Sequence, residues 1–180
     1  MRWVAFMLVS YLVVLLQTTV VGLIEIRGFG LAAVRPDLPA IVAAFVATRA
    51  RNGLDAMLAA LVLGIGLDLT LVGGKAVGLM PITYVLGAAA VFHVREALYR
   101  ERLITQALLA AVFAGLAHGV WATLQGVLAG SAVTWGGYRT MMIQAAGIAV
   151  YTAVLAPLVN AGLHRTERLI LIPATGRPGS

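Results

Sequence analysis

The chain has 180 residues, of which 61% are hydrophobic and only 11% charged, and its mean hydropathy is +0.97. Ordinary soluble domains carry about 25% charged residues, so there is too little polar surface here to cover a water-soluble globule. The net charge of +6 therefore speaks for membrane orientation and anionic lipid rather than for nucleic acid, and the absence of cysteine excludes disulfides, a thiol nucleophile and a cysteine metal site.

A helix needs roughly 20 residues to cross the hydrocarbon core. The length thus permits about six or seven spans and no separate soluble domain. The reading is an all-α integral membrane protein, with one membrane domain over residues 1–165 and a cytoplasmic tail over 166–180. Continuous apolar runs without strand alternation favour helices over a barrel.

Six segments follow in order. The first covers about 3–24; its apolar run is longer than a signal-peptide core and no A-x-A site follows, so it reads as a retained helix. The second, about 36–49, is short and opens with Pro36 and Pro39, which suit the first turn of a helix. The third covers about 54–72, the fourth about 76–94, the fifth about 103–130 and the sixth about 140–163. Glycines in "IEIRGFG", the polar "RARNGLD", the turn "GGKAVG", the charged "HVREALYRERL" and "GSAVTWGGYR" separate them. Glu96 and Arg100 are spaced for an i,i+4 pair in the charged loop.

With six spans and both termini inside, nine basic residues fall inside (Arg2, Arg49, Arg51, Arg95, Arg100, Arg102, Arg165, Arg168 and Arg177) and four outside (Arg27, Arg35, Lys75 and Arg139). That bias obeys the positive-inside rule. A second segment that only dips into the membrane gives five spans, an external N-terminus and a ten-to-three division, so charge alone leaves both topologies open.

Asp68 interrupts the apolar third segment. Ala56, Ala60, Gly64 and Asp68 step by four and so share one helix face, and small residues at this spacing let helices approach closely. Asp68 then faces protein about one turn from the outer end. It either pins the outer turn by pairing with Lys75 or Arg139, or contacts a ligand or partner. Catalysis has little support: Asp68 has no second embedded acid for a shared-proton dyad, and Ser131 with His118 lacks a nucleophile turn. His93, His118 and His164 are too dispersed for a metal site; His118 reads as an interhelical hydrogen-bond donor. "GGKA" lacks the hydroxyl residue and the strand of a P-loop. Ala111, Gly115 and Gly119, and Gly126 with Gly130, read as packing faces. Pro81 and Pro157 are expected to kink the fourth and sixth helices. No catalytic, cofactor or metal residue is assigned.

With these residues in view, the chain resembles the MreD family of bacterial rod-shape proteins. "RPDLPAIVAAFVATRARNG", with Pro36 and Asp37, looks like the family's Pro-Asp-Leu lead-in to a short second helix and a basic joint. Gly64-x-x-x-Asp68, a glycine-bearing turn and Gly78-Leu79 look like its central pattern. The resemblance implies a non-enzymatic scaffold in the bacterial inner membrane. Its partners would be MreC, the MreB filament machinery, the glycosyltransferase RodA and its transpeptidase, with membrane lipid around it. It also implies a fold relation to the substrate-binding components of vitamin transporters. On the residues alone, a small-solute transporter component stands as the alternative; 7% aromatics and few polar residues in the spans favour the scaffold. Asp68, Gly64, Pro36, Asp37, Gly78, Gly115 and Gly119 are the structural or partner-binding candidates.

Overall fold

The computed structural model describes residues 2–28, 31–70, 78–95, 103–128 and 133–170. They form α1 (Trp3–Thr19), a 3₁₀ turn (Val21–Ile24), β1 (Ile26–Gly28), β2 (Leu31–Val34), α2 (Leu38–Arg49), α3 (Gly53–Thr70), α4 (Leu79–Val94), α5 (Leu103–Leu128) and α6 (Trp135–Ile170). Gly53–Thr70, Ile104–Leu128 and Trp135–Arg165 are long and apolar enough to cross a membrane. The apolar helices α1, α2 and α4 are shorter, at 17, 12 and 16 residues.

The lateral surface of the bundle is apolar as well as its core. On α1 the buried residues are Phe6, Ser10, Val13 and Gln17, a 4-3-4 seam that carries both of its buried polar groups inward. Val4, Leu8, Tyr11, Leu12 and Leu15 are exposed. On α6, Thr152 and Asn160 are buried while Val150, Val154 and Leu158 are exposed. Rows of exposed apolar side chains beside buried polar ones suit a lipid surround, in which polar groups seek one another inside the protein.

The short α2 is the axis of the fold. Pro39 through Thr48 are all buried, and the helix touches α1, α3, α4, α5 and α6. A helix apolar all round belongs in an interior. Its twelve residues rise only about 18 Å, so both ends lie within protein, where orphan backbone groups need side-chain partners.

Several boundaries differ from the sequence expectation. The first helix stops at Thr19 rather than near 24, and a two-stranded antiparallel hairpin follows, with Ile26 opposite Val34 and Gly28 opposite Leu31. The hairpin lies on α6: Val34 packs against Gly147, and the Tyr151 hydroxyl donates to the Ile24 carbonyl at 2.9 Å. α4 begins at Leu79, so Pro81 falls in the first turn, where a missing N–H breaks no intrahelical bond, and it does not kink the helix. Pro157 does lie inside α6. α6 runs from Trp135 to Ile170, so the boundary expected at 165 falls within a helix. Ser131, Gly130, Lys75 and the Glu96–Arg100 pair lie outside the described residues.

Candidate functional site

The N-terminus of α2 is where the helices meet. Asp37 is its N-cap: Oδ1 accepts from the Ala40 N–H at 3.0 Å, and Pro39 occupies the first turn. The second oxygen, Oδ2, accepts from the Tyr84 hydroxyl of α4 at 2.5 Å and lies 2.7 Å from His118 Nε2 of α5. The Asp37 N–H donates to Thr152 Oγ1 of α6 at 3.0 Å. Gln17 of α1 closes the ring: its Nε2 donates to the Pro36 carbonyl at 3.0 Å and its Oε1 accepts from the Leu38 N–H at 2.9 Å. Five helices thus converge on three consecutive residues, Pro36, Asp37 and Leu38.

Asp37 is only 3% exposed. A buried carboxylate is tolerated when charge and hydrogen bonds offset its desolvation, and here the three donors and the positive end of α2 do so. Tyr84 is fully buried and stacks edge-on against Phe113 of α5, with ring centroids 5.2 Å apart. Asp37 is therefore a second embedded acid, which the sequence reading had placed only at a helix entrance. It shares no hydrogen-bond partner with Asp68, so no carboxylate dyad forms among the described residues.

Asp68 belongs to a different junction. Its Oδ2 accepts from the Gly78 N–H, across the turn between α3 and α4. Lys75 lies outside the described residues, and no Arg139 ion pair with Asp68 occurs among them. Gly78 has φ +94°, a left-handed conformation that glycine adopts without strain. One turn earlier, Gly64 touches the start of α4 so closely that an added Cβ would sit 2.7 Å from Pro81 Cα and 3.1 Å from the Met80 carbonyl oxygen. Ala56, Ala60, Gly64 and Asp68 are all buried, as one face.

Gly115 and Gly119 sit differently. A Cβ on Gly115 would meet Ala149 at an ordinary 3.7 Å, and one on Gly119 would meet nothing within 4 Å. The fifth-helix stripe expected to be a close contact is thus filled loosely at Gly115 and is open at Gly119.

The far end of α2 is closed by arginines. Arg95, 7% exposed, donates through Nη1 to the Ala47 and Ala50 carbonyls at 3.0 and 2.6 Å and lies over the Phe92 ring at 3.7 Å. Arg49 lies over Phe45 at 4.1 Å and approaches His164. Cations at a helix C-terminus answer its carbonyls and its dipole.

Beside the Asp37 junction is a cavity of about 120 Å³, lined by residues from the α1, α3, α4, α5 and α6 helices together with Arg35 and Asp37. Among the described residues the lining has no hydroxyl or thiol, so the Asp37–His118 pair faces no nucleophile from them. No cluster of three His, Asp or Glu side chains that could hold a metal exists among the described residues.

Gln17, Tyr84 and Thr152 were missed by the sequence reading. Each is a polar residue in a mainly apolar helix, with a polar neighbour beside it (Thr18, Thr83 and Tyr151), so little set it apart, and nothing in the sequence pairs positions this far apart. The chain matches no protein-family model, no curated protein and no solved structure.

Proposed function

We propose that this chain is a non-enzymatic scaffold of the bacterial inner membrane, of the MreD type. In this reading all six helices lie in the membrane, both termini face the cytoplasm, and the protein binds the membrane helix of MreC beside RodA, its transpeptidase and the MreB machinery. The observation that carries the reading is the position of Asp37. The Pro36-Asp37-Leu38 stretch, one of several patterns that carry the resemblance to MreD, is the point where five helices are tied together. Gln17, Tyr84, His118 and Thr152 each bond to this stretch, which ties the helices into a rigid frame. The short α2 does not count against six membrane helices, because it is sheathed by protein and need not reach both interfaces itself.

The cavity favours a second reading, a solute-binding transporter component. Its volume of about 120 Å³ is well below the roughly 300–1,000 Å³ of pockets that enclose drug-sized ligands, so a vitamin-sized solute does not fit it as it stands. Purification in mild detergent from the native membrane, followed by mass spectrometry, separates the two. Recovery of MreC with the chain is expected. A retained vitamin-sized molecule without MreC would replace the scaffold reading with the transporter one.

A further inference from the structure

We propose that the cavity beside Asp37 is a binding site for a phosphate group, such as the headgroup of an anionic lipid. Several of the polar groups around it are already engaged within the fold. Both Asp37 oxygens are occupied by Ala40, Tyr84 and His118. The Gln17 carbonyl oxygen is occupied by the Leu38 N–H. Each acceptor oxygen of these two residues thus already receives at least one donor of the fold.

Apart from the Gln144 amide, which can donate or accept, the other polar side chains on the cavity offer donors. Arg35 lines the cavity and is exposed, and its guanidinium makes no hydrogen bond or ion pair to a described residue. His118 lines it with a ring that uses Nε2 for Asp37, and Nδ1 has no partner among the described residues. Gln17 Nε2 has a second N–H beyond the one given to Pro36. A guanidinium with an imidazole and an amide beside it is the chemistry that recognises phosphate oxygens.

The other wall is mostly apolar, Leu67, Met80, Met141, Ala145 and Ile148, with Gln144 of α6 as its one amide among the described residues. Donors on one side and aliphatic groups on the other suit an amphiphile, with its phosphate on Arg35 and its first carbons along α6. The volume of about 120 Å³ holds a phosphate and a few attached atoms, or about four waters at roughly 30 Å³ each. A large solute is excluded by size, whereas a headgroup whose chains leave the site is not. The inference is independent of which protein partner the scaffold binds.

Trp121 also lines the cavity, and the only other tryptophans are Trp3 and Trp135. The full chain carrying Trp3→Phe and Trp135→Phe therefore reports on the site through a single indole. It is titrated in detergent with dihexanoyl phosphatidic acid, with dihexanoylglycerol as the phosphate-free match, and with inorganic phosphate. Phosphatidic acid is expected to change Trp121 emission saturably, with the diglyceride at least about tenfold weaker. Arg35→Gln is expected to weaken the phosphatidic acid by about tenfold or more, Arg35→Lys to retain part of the affinity, and neither to alter the thermal midpoint of an exposed-site variant. Inorganic phosphate that competes at similar concentration identifies a free anion as the ligand source; phosphate that fails to compete identifies the lipid headgroup. Equal binding of the diglyceride, an unchanged affinity in Arg35→Gln, or no saturable response to either phosphate probe would overturn the proposal.

Discussion

His118 Nε2 lies 2.7 Å from Asp37 Oδ2, joining the middle of α5 to the N-cap of α2 across 81 positions of sequence. The pair is nearly dry, with the side chains 12% and 4% exposed. Tyr84 donates to the same oxygen, so the carboxylate is held from two helices at once.

Replacing one member of such a group strands the others. Asp37→Ala removes the cap of α2 and leaves a buried hydroxyl and imidazole without their acceptor, a loss of about 3–5 kcal/mol by analogy with broken buried pairs. Asp37→Asn keeps the capping oxygen but turns an amide toward two donors, for about 1–3 kcal/mol. A double-mutant cycle of Asp37→Asn with His118→Ala, read by reversible unfolding in detergent, should return a coupling of about 0.5–3 kcal/mol. Simple additivity of the two losses would show that the contact contributes nothing.

Helix number and the Ala56–Ala60–Gly64–Asp68 face were legible, because both follow from periodicity within one segment. The Asp37 junction was not. His118 was legible as an interhelical hydrogen-bonding group, but its partner was not, and Gln17, Tyr84 and Thr152 meet Pro36, Asp37 and Leu38 only after five helices pack. The hairpin at Ile26–Val34 was hidden because its glycines made the stretch read as a plain connection, and Val34 lies on Gly147 of a helix distant in sequence. The meaning of Pro81 turned on a three-residue shift in where α4 starts, which lies within the usual uncertainty of helix ends.

The two glycine positions on α3 and α5 should respond in opposite ways to a methyl group. Gly64→Ala would place its Cβ 2.7 Å from the Pro81 backbone. Backbone cannot rotate away as a side chain does, so α3 and α4 must separate, at about 1–3 kcal/mol. Gly119→Ala meets open space and should stay within about 0.5 kcal/mol of the parent. Thermal unfolding of both variants in the same detergent makes the comparison; equal midpoints would contradict the close α3–α4 contact.

The turn between α3 and α4 offers a separate test. Gly78→Ala forces a side chain into a left-handed backbone at φ +94°, for about 1–2 kcal/mol. Asp68→Ala removes the acceptor of the Gly78 N–H, whereas Asp68→Asn keeps an oxygen that can serve. Stability should therefore fall in the order parent, Asp68→Asn, Asp68→Ala. If MreC recovery were lost in Asp68→Asn at unchanged stability, Asp68 would act at a partner surface rather than in the turn.

Arg95 closes the other end of α2, and the shape of its side chain matters as well as its charge. One nitrogen reaches the Ala47 and Ala50 carbonyls while the guanidinium plane lies on Phe92. Lysine keeps the charge but lacks the flat, weakly hydrated group that stacks. Arg95→Lys should then recover only part of the stability lost in Arg95→Ala, whose uncapped carbonyls cost about 1–3 kcal/mol. Hydrogen exchange gives a local reading that global unfolding does not. The amides near Ala50, whose N–H bonds to the Val46 carbonyl, should exchange faster in both variants, while those near Ala40 keep their protection through Asp37. Faster exchange at both ends of α2 would instead mean that the helix opens as one unit.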